Sequence, residues 1–302
     1  MLFQTISDNY CHANSLTNRP YCDRIFLSGL TGDVAMNLFS DVLNISYSKL
    51  TDIPVPFNTK ELYDIACKKG FDAIKGDVTP SSDGKMIMCH DPYFYVDENG
   101  RVLEPGSTSN KKIMINEMTA EECINLEYAL KSSYEYLGYH SHVAVLDDLV
   151  RICSENNKIP YITVRDKQIS LCIDEIYGTL KRYGMEDKSV INSFTYDTLK
   201  CMREKDSDII LSYVQKLNTT LEKDVIDKAF SFGNCIVCVF WFSKDQQSGN
   251  LYEKSKDAIC YAKEKGVPLH LAAVEDKEYY KWGITHGFKG FQCSLSDAYK
   301  IR

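Results

Sequence analysis

The chain has 302 residues, 44% of them hydrophobic and 25% charged, with 42 acidic against 35 basic side chains and a net charge of −7. This length and apolar content support a large core, as one α/β barrel or two ordinary domains, and exclude a disordered chain. No Lys/Arg block stands out, which argues against nucleic acid as a partner, and the longest apolar runs, such as Cys235 to Phe242, fall far short of the roughly 20 residues of a bilayer span.

Residues 1–41 do not fit a βα count and read as an N-terminal extension, with a strand at Arg24–Leu27 and a short helix at Asp33–Phe39. The opening Met-Leu-Phe-Gln-Thr-Ile-Ser-Asp lacks the basic start and apolar centre of an export signal, so a cytoplasmic location is expected. From residue 42 onward, short β-branched runs alternate with amphipathic stretches, the pattern of βα repeats on a parallel sheet. The strands expected are Val42 to Ser48, Phe71 to Val78, Lys85 to Cys89, Tyr161 to Arg165, Ser189 to Ser193, Ile209 to Tyr213, Asn234 to Phe242 and Val267 to Ala273. Helical patterns run from Thr59 to Lys69, Val145 to Asn156, Ser170 to Tyr183, Tyr196 to Lys205, Leu221 to Phe232, Leu251 to Lys265 and Tyr279 to His286. Eight strands with outer helices predict an α/β fold of the TIM-type (β/α)8 class over residues 42–302. A long loop-rich insertion, Pro92 to Gly138, follows the third strand and carries a capped helix at Thr119-Ala120-Glu121-Glu122.

Barrels of this class place their chemistry at the C-terminal ends of the strands. Strand side chains alternate faces, so Lys75 and Asp77 point the same way, and His90-Asp91 sits where the next strand gives out into a loop. An acid, a cation and a proton-transfer group therefore converge. Two plainer readings stay open: Lys75 and Asp77 as a structural ion pair, and His90 as a residue that fixes the turn. Ser48, Thr163, Arg165, Asn192, Ser193, Tyr213, Phe242 and Ala273 are the other strand-end residues.

Other features read as structure. The 12 cysteines are spread singly and read as buried thiols, and Cys235-Ile-Val-Cys238 lies in a strand where residues three apart face opposite sides. His12, His140, His142, His270 and His286 have no partners at ligand spacing and read as surface or packing residues. Trp241 and Phe242 read as core packing, or as an apolar lip for an acyl or alkyl group.

Asn58-Thr59, Gly70-Phe71-Asp72, Lys75-Gly76-Asp77-Val78, Asp83-Gly84 and His90-Asp91-Pro92 occur in an order and spacing that resembles the glycerophosphodiester phosphodiesterases. Val145-Leu146-Asp147-Asp148-Leu149, Tyr161-Ile162-Thr163-Val164-Arg165, Asn192-Ser193-Phe194 and the closing Gly287-Phe288-Lys289-Gly290-Phe291 extend the resemblance to the C-terminus. It implies a phosphodiester-cleaving barrel with two acid–base histidines and three carboxylates around a divalent cation. Matched motif by motif, Ser48-Lys49-Leu50 stands where the family has His-Arg-Gly, Lys75-Gly76-Asp77 where it has Glu-x-Asp, and Thr163-Val164-Arg165 where it has Glu-x-Lys. One histidine and two of the three metal carboxylates are thus replaced, and no metal or other cofactor is expected.

An ammonium at Lys75 can stand in for part of the ion's charge, with Arg165 giving a forked contact to phosphate and Lys49, Ser48 and Thr163 lining the substrate. His90 is the expected acid or base and Asp77 its orienting carboxylate. Glu98, Glu104 and Glu117 in the insertion are the carboxylates that could rebuild a metal site, against the field of Lys75. The expected function is a pseudoenzyme or binding module for a phosphate-containing small molecule, a glycerol-phosphate polymer or another protein. The alternatives are a metal-independent hydrolase of glycerophosphodiesters that uses His90, and a lyase that forms a cyclic phosphate from a choline lipid.

Overall fold

The computed structural model describes residues 42–104, 107, 109, 111–130, 140–165, 169–242 and 250–297. The expected strand at Arg24–Leu27 and helix at Asp33–Phe39 lie outside the described residues, as does His12.

Eight parallel strands close a barrel: β1 (Leu43–Ser46), β2 (Ala73–Pro80), β6 (Ile159–Val164), β7 (Val190–Ser193), β8 (Ile210–Val214), β9 (Cys235–Phe240), β10 (Leu269–Val274) and β11 (Gly290–Cys293). Pairing runs in that order, and β1 closes the ring on both sides, with Ile45 beside Ala73 of β2 and Leu43 beside Gly290 of β11. Around it lie α1 (Lys60–Lys69), α3 (Leu146–Glu155), α4 (Ile169–Arg182), α5 (Tyr196–Lys205), α6 (Lys223–Phe232), α7 (Leu251–Lys265) and α8 (Lys277–Thr285). This is the expected TIM-barrel fold.

The helices form where local chemistry favours them. In α1, the Thr59 hydroxyl accepts the Leu62 N–H at 3.4 Å, and Gly70, in the left-handed region at φ 91°, returns its N–H to the carbonyls of the last turn. Between these caps Leu62, Tyr63, Ala66 and Cys67 fall on one buried face. None of the helices among the described residues is long and apolar enough to cross a membrane.

One strand departs from expectation. Residues expected as the third barrel strand form β3 (Met86–Met88), which pairs antiparallel with β2 and stands outside the ring. The turn at Ser81–Gly84 is too short for anything else, because a parallel neighbour needs a crossover of about a dozen residues. The ring's eighth member is β11, which the sequence presents only as a short closing segment after α8. The insertion still follows the third strand of the chain and bridges the second and third strands of the barrel. It holds a hairpin of β4 (Tyr93–Val96) and β5 (Lys111–Met114). It also holds α2 (Ala120–Ile124), whose Thr119–Glu122 capping box is the one expected. Ile87, Phe94, Val96, Val102, Ile115 and Tyr128 give it a core of its own.

Two cores hold the barrel. The larger fills the layer between strands and helices and includes Trp241, which is 0% exposed, donates its indole N–H to the Thr219 carbonyl at 2.8 Å and meets Phe288 edge-on. Trp241 is therefore core and not lip. The smaller core lies inside the ring, where Leu43, Ile45, Ala73, Tyr161, Val190, Ile210 and Ile236 pack together. The same lumen carries polar groups: Tyr161 and Ser212 share a hydrogen bond at 2.8 Å, and Gln292 donates to the Cys238 sulfur at 3.2 Å.

His270 lies among them, stacked at 6.3 Å on Tyr161, with no partner for either ring nitrogen among the described residues. Burial pushes its imidazole down to about 3, so it is neutral packing. Its place depends on Gly290, where a Cβ would come within 2.5 Å of the ring. Cys238 faces this lumen while Cys235 belongs to the outer core, on opposite sides of β9 as expected.

Candidate functional site

The end of β2 sets the site. Gly76 turns its hydrogen toward the outer layer, where a Cβ would come within 2.3 Å of the Met88 methyl and 2.9 Å of a Leu149 methyl, so β3 and α3 can close on that face. Lys75 and Asp77 then point into the lumen. Lys75 Nζ donates to Asp77 Oδ1 at 2.7 Å, with Lys75 3% and Asp77 0% exposed.

Asn58, ahead of α1 with φ 53°, steadies the carboxylate: its Oδ1 accepts the Asp77 N–H at 3.0 Å and its Nδ2 donates to Asp77 Oδ2 at 3.5 Å. Burial alone would raise the Asp77 carboxyl, but Lys75, then His90 and Arg165, outweigh it and hold the group at about 2. Asp77 is an anion throughout the physiological range.

Above β1, the inward position belongs to Tyr47. Its ring lies 4.6 Å from Lys75 Nζ, and burial, then the Asp77 charge, push its hydroxyl well above the ordinary tyrosine range, so it stays a donor. The sequence carried a signal for this residue: Leu43, Ile45 and Tyr47 share one face of a strand with period two. Ser48, the residue expected there, is fully buried, its hydroxyl without a partner among the described residues and its carbonyl accepting the Asn58 N–H at 3.1 Å. Lys49 is engaged with Glu104 of the insertion at 3.5 Å and with the Phe57 ring at 4.5 Å.

His90 is held from both sides. Its Nδ1 lies 3.0 Å from Asp91 Oδ1 and its Nε2 lies 2.7 Å from Arg165 Nη1. A guanidinium only donates, so Nε2 accepts, and the ring carries its proton on Nδ1, which donates a hydrogen bond to the Asp91 carboxylate. The structure thus brings together four of the expected residues, Lys75, Asp77, His90 and Arg165. Thr163, beside Asp77 in the β2–β6 register, is buried and accepts a hydrogen bond from Asn192 Nδ2 at 3.0 Å.

The opposite side of the mouth is apolar: Phe194, Phe240 and Phe242 stand over Val214, Cys238 and Ala272. Arg165 spans the two sides, with its guanidinium carbon 5.8 Å from the Phe194 ring centroid.

These residues do not fit the divalent cation that the resemblance implies. Such an ion wants several oxygen ligands, mostly anionic. Among the described residues one carboxylate, Asp77, faces the lumen with Oδ1 already on an ammonium, and the Thr163 hydroxyl is engaged by Asn192. Of the insertion carboxylates, Glu104 is tied to Lys49, and Glu98 and Glu117 are exposed.

Residues 52–292 match the glycerophosphoryl diester phosphodiesterase family. A glycerophosphodiester phosphodiesterase of Caldanaerobacter subterraneus is 22% identical over 152 residues, 50% of this chain and 57% of the relative, so the chain spans little more than half of that protein's length. Among solved structures, a Silicibacter pomeroyi protein assigned to the same phosphodiesterases superposes with a TM-score of 0.69 at 18% identity, covering 85% of this chain and 91% of the other. A phosphodiesterase of Oleispira antarctica, solved with its product sn-glycerol-3-phosphate, gives 0.65 at 15% identity, covering 85% and 95%. At such identities the superpositions speak for the barrel, whereas the match over residues 52–292 speaks for descent: the chain belongs to the glycerophosphoryl diester phosphodiesterase family.

Proposed function

We propose that this barrel is a binding module for a phosphate-bearing ligand, a small molecule or a glycerol-phosphate polymer, and has left its family's hydrolytic chemistry. The observation that carries this reading is the buried Lys75–Asp77 pair, 2.7 Å apart. It places a fixed ammonium beside the carboxylate in the mouth. Lys75 keeps donors beyond the one spent on Asp77, Tyr47 keeps its hydroxyl proton, and Arg165 offers a planar fork at the solvent edge. Together they suit a phosphate.

Hydrolysis asks for more: one group to activate water and another to protonate the departing oxygen. Among the described residues a single imidazole, His90, reaches the mouth, and both of its nitrogens are engaged. Protein–ligand calorimetry with sn-glycerol 3-phosphate, the product held by the Oleispira relative, tests the reading beside a turnover assay on glycerophosphocholine with magnesium, with calcium and with chelator. Binding that Lys75→Met weakens, with no turnover above a His90→Ala control, is the expected result. Turnover that rises with either metal would sink it.

One contact supports a second reading. Asp91 holds the His90 Nδ1–H at 3.0 Å and so presents Nε2 as a base whenever Arg165 is drawn to a phosphate. A metal-independent hydrolase of glycerophosphodiesters is the activity that fits. Its mark is turnover indifferent to chelator and abolished by His90→Ala.

A further inference from the structure

The mouth of the barrel is amphiphilic. Tyr47, Lys75, Asp77 and Arg165 form its polar half, at the ends of β1, β2 and β6. Across from them the period of two along β9 brings Phe240 and Phe242 to the same inner face, their rings edge-to-face at 5.6 Å, and Phe194 above β7 lies 6.4 Å from Phe240.

Among the described residues nothing seals these rings. Phe194, Phe240 and Phe242 are each half-buried, whereas Phe71, Phe288 and Phe291 in the outer core are at most 1% exposed. Below them the wall continues as Val214, Cys238 and Ala272, without a charge. Arg165 touches both halves, reaching His90 at 2.7 Å and standing over Phe194 at 5.8 Å. A phosphate seated on Arg165 and Lys75 therefore has phenyl groups along one flank. Glycerol, choline or ethanolamine alone leaves that apolar surface wet, while a hydrocarbon chain dries it.

We infer that the ligand is a phosphate ester carrying a single apolar chain, its phosphate on Lys75 and Arg165 and its first methylenes against Phe194, Phe240 and Phe242. This rests on the phosphate-binding reading and adds the class of ligand to it. The shared chemistry is phosphate plus alkyl or acyl chain, whether the phosphate ends as a monoester or continues into a headgroup.

The test is calorimetric titration with n-alkyl phosphates from ethyl to decyl, each below its micelle concentration, and with n-alkylphosphocholines of the same tails. Burying a methylene is worth about fourfold in affinity, so the association constant is expected to climb by roughly that factor per carbon until the tail outgrows the phenyl wall. A climb in the phosphocholines as well identifies a diester amphiphile, and a climb in the phosphates alone a monoester. Phe242→Ser is expected to flatten the slope, and should that variant unfold, the wild-type series decides by itself.

If ethyl phosphate binds and decyl phosphate binds no better, the apolar chain is refuted and the phosphate site stands. If neither the series nor sn-glycerol 3-phosphate binds, the phosphate-binding reading falls, and this inference falls with it.

Discussion

Lys75 and Asp77, two residues apart on β2, form an ion pair 2.7 Å long inside the barrel mouth, almost completely shielded from water. Removing one partner of such a pair leaves the other charge buried and uncompensated. Lys75→Met is expected to lower stability by about 3–5 kcal/mol, and adding Asp77→Leu to recover most of that loss. Denaturant unfolding of the two variants checks it, and equal losses in both would show that the pair is not coupled.

Acid should weaken the fold through His270. Its imidazole is held at about 3 by burial, against 6.5 ordinarily, so between those values the unfolded chain binds a proton that the folded chain refuses. Stability is then expected to fall as pH drops from about 6.5 toward 3, by up to about 1.4 kcal/mol per pH unit from this group. Asp77, held at about 2 against 3.8, adds a loss below pH 4, since its contribution is present above 3.8 and disappears as pH falls through 2. Thermal unfolding across pH 4–7 for the wild type and His270→Leu measures the histidine's share. An unchanged slope in the variant would place the acid sensitivity elsewhere.

Gly290 and His270 should be energetically coupled. A methyl at 290 would lie 2.5 Å from the ring, so Gly290→Ala is predicted to cost about 1–3 kcal/mol. In a His270→Ala background the same methyl has room. A double-mutant cycle by chemical denaturation should show a coupling of at least about 1 kcal/mol, and strict additivity would contradict the packing.

A charge reversal at Lys75 and a new carboxylate at position 163 should together produce a metal site. Thr163 faces Asp77 across the β2–β6 register, and Lys75 lies on the same face of β2. Lys75→Glu with Thr163→Glu would surround Asp77 with carboxylates. Calorimetry with calcium and magnesium is expected to show a dissociation constant of about 1 mM or tighter, with no measurable heat from the wild type. A double variant that stays folded and binds neither ion would count against the inward geometry assigned to these positions.

The barrel was legible in the sequence because each helix and most strands announce themselves locally: Thr59 and Gly70 bracket α1, and apolar runs of strand length recur between helices. What escaped was pairing. Lys85 to Cys89 has the composition of a barrel strand, and only the shortness of the Ser81–Gly84 turn betrays that it folds back antiparallel. Gly290–Cys293, four residues long, has too little text to be read as the closing strand.

At the site, Lys75 and Asp77 were visible because they share one strand. Tyr47 was hidden by matching motifs along the chain when the alternation of β1 was the better guide. The contact of Arg165 with His90 joins residues 75 positions apart and depends on the pairing of β2 with β3 and β6, and the phenyl wall depends on the pairing of β7 and β9 with β8 between them.

A counter-ion recruited from solution comes and goes with its supply, and can be stripped by a chelator or displaced by a competitor. The ammonium of Lys75 is covalently part of β2 and is held in place by its own carboxylate. Whatever anion settles against it meets a charge present at full stoichiometry from the moment the chain folds, so its occupancy should follow acidity and ionic strength and ignore the local concentration of divalent metal.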